Sequence, residues 1–336
     1  MPVNMNQSIQ PLDRRISVAP MMEWTDRHCR YLHRLYAPHA LLYTEMIVSA
    51  AIVRGKAQRL LEHDPHEHPV ALQLGGCDPE ELAAAARIGA AAGFAEINLN
   101  VGCPSDRVKN GSFGACLMLK PALVVECVRR MRDATPVPVT VKCRIGVDDR
   151  DDYDSFLGFV DAVAGSGAAA LIVHARAAIL GGLTPKENRE IPPLKYHYVH
   201  RLKLERPGLA VVLNGGVADS AAAVGCLAAG LDGVMLGRAA YHRPALLAEL
   251  EQAVVDPAWR IPQPWQIIER IMPYARAQVR QGVPLHSISR HMHGLMAGRP
   301  GARAWRRFLS EVAARPGTPP EAIYSVLPLL NQGMAA

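Results

Sequence analysis

The chain of 336 residues is too long for one small core and suits a barrel of about 250 residues with an appended module. Hydrophobic residues make up 49%, yet no apolar run reaches the roughly 18 residues a bilayer crossing needs, so no membrane partner is expected. The net charge of +6 lies wholly in the last fifth: positions 263–336 hold nine arginines, no lysine and three glutamates, while the rest balances.

Positions 1–17 lack the basic-then-apolar pattern of a secretory leader. Seven cysteines without a C-x-x-C spacing suit a reducing compartment, so the cytoplasm is the expected location. Short apolar runs predict strands at 16–21, 41–46, 70–74, 96–101, 137–145, 170–175, 210–214 and 233–236. Helical patterns fall between them, for example at 79–92, 121–133, 153–165 and 220–230. Asp78 and Asp219 are predicted N-caps, Pro79 and Pro121 suit a first turn, and Gly93, Gly167 and Gly230 mark helix ends. Eight such alternations, with strands apolar enough to be covered on both faces, predict an α/β fold: a closed (β/α)8 TIM barrel. An open doubly wound sheet is the alternative.

Polar residues favour the barrel. Glu45, Gln73, Asn98, Asn100, Lys142, Arg144, His174 and Asn214 are read near the C-terminal ends of different strands, where barrel active sites are built. A Pro- and Trp-containing linker at 256–264 then leads to helical stretches at 265–281, 285–296, 302–314 and 320–330. The predicted division is a barrel over 1–255 and a C-terminal all-α domain over 256–336. The all-arginine charge of that tail suits phosphate forks; a merely solvated basic face is the alternative.

Four places can carry chemistry. Cys103 follows a strand end, runs into a loop with Asn110, Gly111 and Gly114, and offers a thiol that can donate a proton or attack. A buried structural cysteine is the plainer reading. Asn214-Gly215-Gly216 and Gly237-Arg238 close the seventh and eighth strands, where barrels often bind phosphate; two ordinary glycine turns are the alternative. Lys142 and His174 end two further strands as cations in need of an anion, such as a reduced flavin, with Gln73 at the ring edge. A salt-bridge network with Glu45 or Glu96 would also explain them. Two motifs are set aside. The G-x-G-x-x-A string at 165–170 follows a helix instead of a strand, and the His63–His68 tract lies in a polar loop with Pro65.

The stretches Ala19–Arg30, Tyr43–Met46, Ala71–Gly76, Glu96–Ser105, Lys142–Gly146, His174–Arg176, Asn214–Gly216 and Gly237–Arg238 together resemble the tRNA-dihydrouridine synthases. The match spans nearly the whole chain, and Asn-x-Gly-Cys-Pro is its most specific segment. Segments 185–193 and 300–306 resemble subfamily A, which acts on U20 and U20a of the D-loop. The resemblance implies bound FMN, with NADPH as co-substrate. It places FMN contacts on Pro20, Met21, Met22, Gln73, Lys142, His174, Asn214, Gly215, Gly216, Gly237 and Arg238. Its proton donor falls on Cys103, and its tRNA contacts on Asn100, Lys186, Arg189, Arg303 and Arg306. No metal or protein partner is implied, and a monomer is expected. The implied reaction takes hydride from FMN N5 to uracil C6 and a proton from Cys103 to C5, on a base flipped out of folded tRNA. A flavin barrel reducing a free small molecule, of the dihydroorotate dehydrogenase type, would leave the basic tail unexplained. A catalytically silent RNA-binding protein would leave Cys103, Lys142 and His174 unexplained.

Overall fold

The computed structural model describes residues 12–55, 57–105 and 111–328. Asn110, the first eleven positions and the end of the stretch predicted at 320–330 lie outside them. Eight strands form the barrel: β1 (Ile16–Val18), β2 (Leu41–Tyr43), β3 (Val70–Gly75), β4 (Glu96–Val101), β5 (Val139–Arg144), β6 (Leu171–His174), β7 (Val211–Asn214) and β8 (Gly233–Leu236). Each pairs in parallel with the next, and β8 pairs back onto β1, so the sheet closes and the open-sheet alternative falls. A two-residue segment, Ile47–Val48, adds a further parallel pairing to the end of β3.

Local chemistry places the helices where the sequence predicts them. Asp78 accepts from Glu81 N–H and caps the helix Pro79–Ala91; Asp219 accepts from Ala222 N–H and caps Ser220–Ala228. Gly93, Gly167 and Gly230 follow helix ends with positive φ. The tail is helical at Pro264–Arg280, Leu285–Ser289 and Ala302–Glu311, with tighter 3-10 turns at Arg290–Met296 and Pro320–Val326. The predicted helix at 285–296 is therefore half α and half 3-10. No helix of the described residues is long and apolar enough to cross a membrane.

Side-chain alternation gives the barrel two cores. One face of the strands packs beneath the helices in the large core, as with Leu72, Ile97, Leu99, Val141, Val173 and Leu213. The other face fills the barrel with Ala19, Leu41, Tyr43, Ala71, Ile172, Val212 and Met235. The polar interior positions Gln73, Asn98, Asn100 and Thr140 are buried on that same inner side.

The tail docks through the first barrel helix, Arg27–Tyr36. Asp26 caps that helix by accepting from the N–H groups of His28 and Cys29. The same carboxylate accepts from Arg290 at 2.5 Å and from His291 Nε2 at 3.0 Å. Tyr274 stacks on Tyr31 with ring centroids 3.9 Å apart, and its hydroxyl is hydrogen-bonded to His28 Nδ1 at 2.6 Å. Burial pushes the Asp26 carboxyl up, but hydrogen bonds and charge from His291, Cys29 N–H and Arg290 outweigh it and hold the carboxyl well below its ordinary 3.8.

Asp26→Asn keeps a capping side chain but loses the charge. Urea unfolding should show a loss of about 1.5–3 kcal/mol at neutral pH. Because the folded carboxyl is depressed, that advantage is complete above about pH 5 and fades as acid protonates it. The difference between wild type and variant should therefore shrink below pH 4.

Candidate active site

The strand ends bring the predicted residues into one basin. In register, Asn100 lies beside Lys142, Arg144 beside His174, and His174 beside Asn214. Lys142 Nζ donates to Asn214 Oδ1 at 2.9 Å, and Asn214 Nδ2 donates to Met235 O at 2.7 Å. Neither Glu45 nor Glu96 reaches Lys142. Glu45 instead accepts from Glu23 N–H in the loop after β1, and Glu96 pairs with Arg14 at 2.7 Å. Glu96 and Asn98 belong to the barrel interior, not to the mouth.

That interior holds a continuous ladder of hydrogen bonds. Thr140 Oγ1 donates to Glu96 at 2.6 Å, and Asn98 Nδ2 donates to Thr140 Oγ1 at 2.9 Å. Gln73 Nε2 donates to Asn98 Oδ1 at 2.8 Å, and Asn100 Nδ2 donates to Gln73 Oε1 at 2.8 Å. Asn100 Oδ1 then accepts from Gly102 N at 3.1 Å and Cys103 N at 3.0 Å. Gln73 and Asn100 each keep one amide hydrogen for a ligand. Cys103 O accepts from Ala115 N at 2.9 Å, and its thiol lies 3.4 Å from Ser105 Oγ. Cys103 is thus half-buried at the mouth on a fixed loop.

Positive charge dominates the basin. Burial, with Arg144 next, pulls Lys142 down to about 8, so it stays largely protonated at neutral pH. Burial and the charges of Arg144, Lys142, Arg176 and Arg189 drive His174 well below its ordinary 6.5. The pair expected to be two cations is therefore one cation and one neutral imidazole, because burial, reinforced by neighbouring cationic side chains, makes a second charge too costly there. None of Lys142, Arg144, Arg176 and Arg189 has a carboxylate within ion-pair distance among the described residues. Arg176 Nη1 donates to Pro192 O, while its Nε is buried with no hydrogen-bond partner among the described residues.

The glycines form a cradle. Gly215 and Gly216 have φ of +101° and +74°. A Cβ on Gly215 would sit 2.3 Å from His174 Cδ2, and one on Gly216 would sit 2.5 Å from Leu194 Cδ1. Only glycine fits both the backbone and the space. Met22, 55% exposed in the loop after Pro20 and Met21, offers an apolar wall. Gly237 lies below, where a Cβ would be 3.7 Å from Met21 Sδ. Arg238 is less available than the sequence implies: it is ion-paired to Glu190 and reaches Arg189 O at 3.3 Å.

Lys186 and Arg189 are exposed on a turn beside the mouth. Arg303 and Arg306 are exposed on the helix Ala302–Glu311, three residues apart on one face. Of the nine tail arginines, Arg276 pairs with Glu321, Arg290 with Asp26, and Arg299 donates to Gln263. Those three are committed to structure, so the free positive surface is smaller than composition implies. The His63–His68 tract is likewise structural: Asp64 and Glu67 form a capping box, and buried Glu67 pairs with Arg30 at 2.6 Å. Sequence reasoning placed Arg144 at the mouth but assigned it no contact, and gave no site role to Arg176. The lysine-x-arginine spacing on β5 could have found the first, since alternate residues share a face.

A closed parallel barrel whose mouth gathers cationic side chains, a pair of positive-φ glycines and a half-buried thiol has the layout of a barrel enzyme. The dihydrouridine synthase (Dus) family matches residues 17–325, and the chain belongs to that family. A tRNA-dihydrouridine(20/20a) synthase of Xanthomonas campestris is 57% identical over 303 residues, covering 90% of each chain. The protein of the same name from Yersinia pestis is 50% identical over 319 residues, 95% of this chain and 92% of its own. Among solved structures, a 2-naphthoyl-CoA reductase complex superposes with a TM-score of 0.54 at 9% identity. That likeness covers 71% of this chain but only 49% of the reductase, and it supports the barrel fold alone.

Thr140→Val would break the ladder just above its floor, leaving an Asn98 N–H without its acceptor and Glu96 Oε1 with the Tyr43 hydroxyl as its remaining donor. Urea unfolding should register a loss of about 1–3 kcal/mol.

Proposed function

We propose that this protein reduces uridine to 5,6-dihydrouridine in tRNA, at positions 20 and 20a of the D-loop, with bound FMN and with NADPH as reductant. The carrying observation is the mouth itself: Lys142 and Arg176, without a carboxylate partner among the described residues, beside the Gly215–Gly216 cradle, with the Cys103 backbone held by Asn100 nearby. The names of the relatives supply the substrate and the two positions.

The residues present fit FMN. The cradle of Asn214, Gly215 and Gly216, with Gly237 and Arg238, suits a phosphate, and Met21 and Met22 with Pro20 suit an apolar ring face. Lys142 supplies the positive charge that a reduced ring needs, while Gln73 and neutral His174 offer hydrogen bonds. Bound FMN supplies hydride for uracil C6.

The chain's own part is geometry and a proton. Asn100, tied to Gln73, fixes the Cys103 backbone so that the thiol can deliver a proton to C5. The spare amide hydrogen of Asn100 is available to the base. A uridine in folded tRNA must leave its stack to reach the mouth, at a cost of a few kcal/mol. Phosphate contacts by Lys186, Arg189, Arg303 and Arg306 offset that cost and set which uridine arrives. In this reading residues 1–255 are the catalytic barrel and 256–336 the tRNA-binding domain of a cytoplasmic monomer.

The direct test is dihydrouridine mapping of unmodified tRNA incubated with protein, FMN and NADPH, against free uridine. Equal rates on both substrates would favour a small-molecule reductase. Cys103→Ala should lose about 10²–10⁴ in turnover while keeping flavin absorbance; near-normal turnover removes the proton-donor role. Arg303→Ala should weaken tRNA binding and flatten its salt dependence by about one unit of slope. An unchanged slope would place Arg303 away from the phosphates.

A further inference from the structure

Arg144 ends β5 with a buried guanidinium whose hydrogen bonds among the described residues all go to backbone carbonyl oxygens. Its Nε donates to Gly102 O at 3.1 Å, and its Nη1 donates to Ala177 O at 2.9 Å and to Asn188 O at 2.8 Å. These acceptors lie 42, 33 and 44 residues away in sequence. A planar fork can hold three carbonyls at fixed angles, which a point-charge ammonium cannot. Burial, the largest influence, lowers Arg144 only to about 10, so it keeps its charge.

The two outer partners are the interesting ones. Gly102 precedes Cys103, and its carbonyl is the polar atom of that loop which Arg144 holds; Asn100 and Ala115 hold the others. Asn188 lies between Lys186 and Arg189 and is wholly buried. Its side chain clasps Ile179 in both directions, accepting from Ile179 N at 2.8 Å and donating to Ile179 O at 2.9 Å. The turn that exposes Lys186 and Arg189 is therefore rigid, and Arg144 fastens it to the cysteine loop.

We propose that Arg144 is a positioning residue: a joint that keeps the Cys103 loop and the Lys186–Arg189 turn in one register, so that displacement of the turn is felt at Cys103. This rests on the reading of Cys103 and of the turn given under Proposed function. The coupling runs through contiguous hydrogen bonds from a rigid turn to a rigid loop, not through a flexible path.

The test uses the full FMN-loaded chain and reads alkylation of Cys103 by iodoacetamide, mapped by peptide mass spectrometry, together with steady-state kinetics on tRNA. Arg144→Lys should speed Cys103 alkylation by about 5–150-fold, the ordinary range of coupling between sites. It should lower kcat while leaving KM for tRNA nearly unchanged. Asn188→Ala loosens the far end without touching the cysteine loop, and it too should speed alkylation. The double variant should be no faster than Arg144→Lys alone. Wild-type alkylation in Asn188→Ala would overturn the joint, and this arm decides the matter if Arg144→Lys does not fold. Alkylation requires no turnover. Normal turnover in Cys103→Ala would therefore sink the proton-donor reading and not be mistaken for failure of the joint.

Discussion

A carboxylate inside a barrel has to be surrounded by donors, and the way Glu96 is surrounded sets the geometry of the whole mouth. Arg14 pairs with it from the N-terminal end of the strands, Thr140 donates to it from the neighbouring β5, and Tyr43 donates to it across the barrel interior from β2. Once the Thr140 hydroxyl points at Glu96, it can only accept from Asn98. That choice fixes which end of the Asn98 amide faces Gln73, and then which end of Gln73 faces Asn100. The direction of every amide is thus forced from the floor upward, ending on the N–H groups of Gly102 and Cys103. Such a network contributes more to a single arrangement than to stability, since each member is worth little unless all are satisfied.

Charge at the mouth follows a similar logic of crowding. Burial already disfavours charge on His174, and the cationic side chains of Arg144, Lys142, Arg176 and Arg189 add to that, so its imidazole stays neutral. Lys142 keeps its proton by a narrow margin, with only the oxygen of Asn214 for support. Glu190, an acidic group at the rim of the basin, is already occupied by Arg238.

The fold was legible because barrels write themselves in period: apolar runs, capping aspartates and terminal glycines fell where the elements form. Strand ends were read too long for a physical reason. The residues after β1 leave the ladder at Pro20, which has no N–H, and Met21 N turns instead to Thr25 Oγ1 at 2.9 Å. The ladder itself was not legible as a ladder. Asn98 and Glu96 look like mouth residues by composition, yet a six-residue strand buries its first half in the interior. Long-range partners were invisible altogether: nothing near Arg238 in sequence points to Glu190, and nothing near Asp26 points to Arg290. Protonation was misread at His174 because its burial, the larger influence, and the cationic groups brought to it from other strands and loops arise only in the folded chain.

The turn after β1 shows why these pieces have to be considered together. Thr25 accepts from Met21 N–H, and Arg30 donates to Thr25 O at 2.8 Å while pairing with buried Glu67. The next residue, Asp26, caps the first barrel helix and holds Arg290 and His291 of the tail. One short turn therefore presents Met21 and Met22 to the mouth and anchors the helical tail, with no flexible residue between the two tasks. In the proposed reading this matters for selectivity. A tRNA gripped by Arg303 and Arg306 is measured against a mouth whose wall is built from the same turn. The spacing between tail and thiol is then set in part by the contacts of Arg290 and His291 with Asp26, and a uridine well beyond the two adjacent positions would arrive out of register.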